Sequence, residues 1–275
     1  MQSKLERLQK ILRRMQAVVV AYSGGVDSSL LAKVAHDVLQ DRAIAVTGLS
    51  ATFKESELRS ARQTAAAIGI RHAAVPTREL DNPKFVKNSP KRCFYCKYEL
   101  FSVLGHYAVE QRMACVAEGS NRDDTADFRP GMRAARLLKI RQPLIEVDLG
   151  KQEIRELAKA LGLPNWNKPA SACLASRLPY GEPVTLPKLR RIEKAEAELR
   201  RREFEVLRVR HHGDIARIEV PREDFARLIE QSQAIVARFK ALGYNYVTLD
   251  IQGFRSGSLN ESLKKRGPES SHSLC

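Results

Sequence analysis

The chain has 275 residues, 43% hydrophobic and 29% charged, a balance that excludes a disordered or membrane-embedded chain and leaves room for two ordinary domains. Its net charge of +15, shared by both halves without a basic tail, raises the local concentration of nucleotides, phosphorylated metabolites or RNA but names none of them, and a solvated surface explains it equally well. No stretch approaches the roughly 20 apolar residues of a membrane span, the first residues lack a signal-peptide core, and five cysteines argue against a disulfide framework, so the expected compartment is the cytoplasm.

In chain order, Ser3 stands where it would cap an amphipathic helix carrying Leu5, Leu8, Ile11 and Leu12 on one face. Ala17 to Tyr22 is an apolar run suited to a buried strand, and further strands are expected at 43–50, 72–77 and 115–120. Helical periodicity lies near 28–39, 55–68, 97–111 and 151–161. Strands that read as continuous apolar runs and alternate with helices predict an α/β fold, a parallel sheet with helices on both faces.

After residue 165 the pattern shifts to the Pro- and Gly-punctuated segment NWNKPASACLASRLPYGEP and then a charged helix from Pro187 to Arg202. FEVLRVRHH and IARIEVP flank His212, Gly213 and Asp214 as a β-hairpin, followed by a helix over 223–242 and the strand YVTLDI. The expected division is therefore a nucleotide-binding domain at 1–165, a smaller α+β domain at 166–262, and a polar, disordered tail at 263–275.

The strongest local signal is Ser23, Gly24, Gly25, Val26, Asp27, Ser28 and Ser29, set between the first strand and the first long helix. Glycines let backbone N–H groups close around phosphate oxygens, the serines add hydroxyls, and the helix start adds partial positive charge. This is not a Walker A loop, because no lysine follows the glycines. SGGVDSS instead resembles the PP-loop of the N-type ATP pyrophosphatases, which hold the pyrophosphate of ATP while the α-phosphate is attacked. That resemblance implies ATP on Ser23, Gly24, Gly25, Asp27, Ser28 and Ser29, with Asp27 helping to hold Mg2+; a plain strand-to-helix turn is the alternative.

Cys93 and Cys96 stand at C-x-x-C spacing, and Cys173 lies in the Pro/Gly-rich segment. Zinc in a structural site wants four protein ligands, whereas three cysteines suit a [4Fe-4S] cluster with one iron left open. Basic Arg92, Lys97 and Arg177 would favour thiolates. Zinc, a redox pair and simple packing remain open. Asp123, Asp124 and Asp127 are candidates for Mg2+ or for a solvated loop, and Arg208 and Arg210, alternating on one strand, share a face suited either to a substrate phosphate or to pairing with Glu219.

Taken together, AYSGGVDSSLL, the stretch from Glu118 to Asp124, Asp127 to Gly131, NWNKPASACLASRLPYG, RVRHHGDIARIEVP and YVTLDIQGFRSG resemble the LarE family of ATP-dependent sulfur transferases over nearly the whole chain. The resemblance implies adenylylation of a carboxylate on a pyridinium biscarboxylic acid mononucleotide, sulfur delivery in nickel-pincer cofactor synthesis, and a homo-oligomer with an unidentified sulfide donor. Some members sacrifice one cysteine, the position of Cys173; Cys93 and Cys96 align this chain with members that use three cysteines to hold a cluster. The rival expectations are tRNA thiolation, ammonia-dependent amide formation, which has no use for the three cysteines, and RNA binding without catalysis, for which no RNA-binding module is recognisable.

Overall fold

A computed structural model describes residues 1–126, 130–169, 172–255 and 258–260. The chain divides into two compact units, Met1–Cys173 and Leu174–Cys275. The expected disordered tail at 263–275, with Cys275, and the metal candidate Asp127 lie outside the described residues.

The first unit runs α1 (Gln2–Met15), β1 (Val18–Ala21), α2 (Val26–Leu39), β2 (Ala43–Leu49), α3 (Glu55–Ile68), β3 (Arg71–Pro76), α4 (Pro83–Val86), α5 (Arg92–Glu110), β4 (Cys115–Glu118), α6 (Pro130–Leu137), α7 (Pro143–Glu146) and α8 (Lys151–Ala160). Its strands form one parallel sheet in the order β3-β2-β1-β4. Because side chains alternate along a strand, Val18 and Val20 enter a core with Leu8, Leu12, Leu30, Leu31 and Ile154, while Val19 enters one with Phe101, Leu104 and Ala134 on the other face. Both faces are covered, which is why these strands are apolar without interruption.

Local chemistry sets several boundaries. Ser3 does not cap α1: the helix starts one residue earlier, and no side chain bonds to its N-terminal amides. Gly69, left-handed at φ 84°, closes α3 with its N–H on the Ala65 carbonyl at 3.0 Å. Helix α5 starts at Arg92 rather than at 97, so Cys93 and Cys96 sit on a helix instead of in the loop before it.

The second unit holds α9 (Leu186–Arg201), β5 (Arg208–His212), β6 (Ile215–Glu219), α10 (Phe225–Glu230), α11 (Ser232–Ala241) and β7 (Tyr246–Leu249), its sheet ordered β5-β6-β7. The hairpin forms as expected, with Gly213 at φ 61° in its turn, and β7 joins β6 in parallel. The single helix expected over 223–242 is two, broken at Gln231. The two units divide after Cys173 rather than at 165, and the reason is local. Trp166 packs on the first core, and Lys168 donates to the Gly24 carbonyl at 3.4 Å and pairs with Glu57 at 2.7 Å.

Candidate active site

In a parallel sheet of this order, the chain leaves β1 toward β2 on one side and later returns as β4 on the other, which opens a crevice beyond the strand ends where ligands bind in such folds. Ser23 to Asp27 enter it from β1, and Glu118 to Asp124 from β4.

The glycine loop is built from inside its own sequence. Gly24 is left-handed at φ 70°, and a Cβ there would lie 2.7 Å from the Ala61 Cβ, so helix α3 admits nothing larger. Gly25 begins α2 in extended conformation and donates its N–H to Ser23 Oγ at 3.3 Å. Ser28 Oγ hydrogen-bonds Ser23 Oγ at 3.1 Å and donates to the Gly25 carbonyl at 3.1 Å. Ser29, expected as a phosphate donor, is fully buried behind the loop, where it bonds Tyr22 OH at 3.3 Å and accepts from Asn165 Nδ2 at 2.9 Å. Ser23, Gly25, Asp27 and Ser28 line the cavity; Gly24 and Ser29 shape the loop from behind.

Asp27, in the first turn of α2, accepts from Asn121 Nδ2 at 3.2 Å and is paired through its second oxygen with Lys151 Nζ. The acidic segment splits by role. Asp123 accepts the Lys151 backbone N–H at 2.8 Å, and that bond, followed by Arg122, holds its carboxyl below the usual carboxylate range. Asp123 therefore caps α8 rather than facing the cavity, whereas Asp124 accepts the Asn121 N–H at 3.0 Å and lines it. Gly119 joins the two segments: a Cβ there would stand 2.9 Å from Ser28 N.

The cavity, about 460 Å³, is large enough for a nucleotide. It is lined by Ser23, Gly25, Asp27 and Ser28 and also by Cys96, Lys97 and Cys173. Cys93 and Cys96, three residues apart on α5, share a face. The expectation of thiolates is overturned: desolvation, followed by the Cys173 sulfur, pushes both the Cys93 and Cys96 thiols up. Arg92 and Lys97 oppose this at Cys93 and Lys97 does at Cys96, but neither wins. Lys97 is itself occupied by Glu118 at 3.0 Å; burial pulls its ammonium down, and Glu118 with the two sulfurs overrides that and holds it up. Arg177 belongs to the second unit, where it is buried against Glu196 at 2.7 Å. Among the described residues, no three His, Cys, Asp or Glu side chains are gathered as a metal site.

In the second unit Arg208 and Arg210 do share a face, and both reach Glu219 across the hairpin. Arg210 holds it at 2.8 Å while also donating to the Ser176 carbonyl at 2.7 Å and Ser258 Oγ at 2.6 Å. Arg208 stands 3.9 Å from Glu219, donates to the Arg255 carbonyl at 2.7 Å and lies 4.3 Å over the Phe254 ring. With Arg217 also on Glu219 at 3.2 Å, three guanidiniums share one carboxylate there.

Four cavity or loop residues carry no motif in the sequence: Lys151, Lys168, Asn121 and Asn165. The two asparagines and Lys168 fall inside segments that stand out for other letters, and Lys151 is marked only by opening a helix after Gly150. Their partners lie 94 to 144 residues away in the chain, beyond the reach of any spacing rule.

The NAD synthase family model matches residues 4–91, the part that holds the glycine loop. An uncharacterised protein of Synechocystis is 43% identical over 96% of this chain and its own whole length. The pyridinium-3,5-bisthiocarboxylic acid mononucleotide synthase of Lactiplantibacillus plantarum is 37% identical over 96% of both chains. A tRNA-specific 2-thiouridylase of Thermoanaerobacter is 28% identical over 74% of this chain and 65% of its own.

Proposed function

We propose that this chain, which belongs to the LarE family of PP-loop, ATP-dependent sulfur transferases, adenylylates a carboxylate of pyridinium-3,5-biscarboxylic acid mononucleotide and replaces that oxygen with sulfur. The observation that carries the reading is one cavity lined both by Ser23, Gly25, Asp27 and Ser28 and by Cys96, Lys97 and Cys173. Amide formation needs the first set alone, whereas sulfur transfer needs both.

The loop amides and hydroxyls take the β- and γ-phosphates, and Asp27 and Asp124 are the carboxylates that would hold Mg2+. A substrate carboxylate oxygen bonds to the α-phosphorus as its bond to the bridging oxygen breaks, and the electron pair leaves with pyrophosphate. Sulfur then adds to the acyl carbon and AMP departs. Lys97 pairs with Glu118 at 3.0 Å and lines the same cavity as Cys96 and Cys173, where an ammonium stabilises charge developing on sulfur or on the acyl oxygen.

The donor set suits an iron–sulfur cluster by chemistry: Cys93, Cys96 and Cys173 are soft sulfur donors whose electrostatic influence reaches one another, and such thiols give up protons on metal binding. Bound to these three, a [4Fe-4S] cluster would leave one iron open to an external sulfide. Arg208 and Arg210 are proposed for the substrate phosphate, the surplus of guanidinium over Glu219 supplying charge for a dianion. A homo-oligomer in the cytoplasm, drawing sulfide from a separate donor, belongs to the same reading. Among the described residues no helix is long and apolar enough to cross a membrane.

Anaerobic reconstitution with iron and sulfide tests the cysteines. Brown protein with about four irons per chain, lost in each of Cys93→Ala, Cys96→Ala and Cys173→Ala, is the expected result. Colourless protein that turns over once, loses the Cys173 sulfur and tolerates Cys93→Ala would instead make Cys173 a sacrificial donor.

A further inference from the structure

We propose that Lys151 is the lysine that the glycine loop lacks, a phosphate-binding residue delivered from the start of α8. The loop Ser23–Ser29 carries no lysine after its glycines, yet Lys54, Lys97, Lys151 and Lys168 all line the cavity beside it. Lys97 is paired with Glu118 at 3.0 Å, and Lys54 is buried where α3 begins. Lys168 is committed from behind: it pairs with Glu57 at 2.7 Å and donates to Ser60 Oγ at 3.1 Å and to the Gly24 carbonyl at 3.4 Å, and none of these groups is asked to leave during the reaction.

Lys151 is placed differently. Its ammonium sits on Asp27, the carboxylate assigned to Mg2+, with both side chains partly open to solvent. Its backbone does not depend on that pairing. Asp123 accepts the Lys151 N–H at 2.8 Å and Glu153 accepts the Gly150 N–H at 3.0 Å, so the first turn of α8 is already capped and only the side chain needs to move. The Gly150 and Lys151 amides are thereby occupied, and the ammonium is the charged group this turn brings to the cavity.

Charge then dictates an exchange. Without nucleotide, Asp27 and Lys151 neutralise each other. When Asp27 passes to the cation that accompanies ATP, Lys151 is left beside the loop with no counter-charge, and the nearest anion is the β,γ-phosphate pair. During adenylylation the electron pair of the breaking bond collects on pyrophosphate, and the Lys151 side chain faces it. The proposal rests on the adenylylation reading above.

Calorimetric titration of the nucleotide-free protein tests it, with inorganic pyrophosphate in the presence of Mg2+ and, separately, with Mn2+ alone. Lys151→Met should weaken pyrophosphate binding about tenfold or more, while Lys151→Arg stays close to wild type. The same Lys151→Met protein should bind Mn2+ alone more tightly than wild type, because the competitor for Asp27 is gone. Lys151→Gln is read in the same way if the Met variant does not fold. Equal pyrophosphate affinity in wild type and the folded variant would overturn the role of Lys151 and leave the loop intact, whereas wild-type protein that takes up no pyrophosphate would overturn the loop assignment and the lysine with it.

Discussion

Gly24 and Gly119 are the two positions where the nucleotide loop admits no side chain, and they fail for different reasons. Gly24 combines a left-handed backbone with contact against Ala61 on α3, so a substitution there strains the fold itself. Gly119 has an ordinary backbone, and an added methyl would press on Ser28 N, Ser28 Cα and the adjoining Asp27 carbonyl carbon, 2.9, 3.1 and 3.1 Å away. Gly119→Ala should therefore leave the protein folded but push the start of α2 out of line, raising the KM for ATP about tenfold, roughly 1.4 kcal/mol of lost binding. Steady-state pyrophosphate release against ATP concentration checks this, and an unchanged KM would show that the contact yields freely. The placement of the glycines and Asp27 between a strand and a helix is legible because a loop of this kind is contiguous in the chain. Ser29 was misread for the same reason: contiguity does not reveal that the hydroxyl turns inward to Tyr22 and Asn165.

Among the elements, the buried strands and the longest helices were legible because their apolar periodicity is strong. The start of α5 was not, since Cys93 and Cys96 read as a motif rather than as two positions one helical turn apart. That shift matters for chemistry: on the helix, desolvation and the Cys173 sulfur push both thiols up, against the effect of the basic residues beside them in sequence. Arg208 and Arg210 show the converse: alternation gives their shared face and names Glu219 as a candidate partner across the hairpin, and both guanidiniums reach it.

Between β2 and β3, His72 Nε2 meets Thr47 Oγ1 at 2.9 Å, the ring lies edge-on to Tyr22 at 5.6 Å, and Arg62 adds like charge. Desolvation first, and Arg62 second, hold the His72 pKa below its ordinary value. The fold thus favours the neutral ring: this contribution to stability is present above the unfolded value of about 6.5 and is lost as pH falls below it. Denaturation midpoints should fall more steeply from pH 7 to 5 in wild type than in His72→Gln, and parallel profiles would remove His72 from the account.

Over the whole molecule, the charge of +15 turned out to be a weak guide and the combination of motifs a strong one. A relative that shares 37% identity over 96% of both chains accounts for the glycine loop, the cysteine segments and the second unit together, whereas the NAD synthase match covers only residues 4–91 and stops short of Cys93. The first unit alone holds the cavity lined by the glycine loop and by Cys96, Lys97 and Cys173, and the second unit holds the arginine cluster around Glu219. The most direct measurement supplies anaerobically reconstituted protein with sulfide, Mg2+, ATP and pyridinium-3,5-biscarboxylic acid mononucleotide, and follows both pyrophosphate release and the mass of the mononucleotide. The account predicts pyrophosphate release that requires the mononucleotide, with product heavier by the difference between sulfur and oxygen at each carboxylate converted. Mononucleotide left unchanged while tRNA acquires sulfur under the same conditions would contradict it.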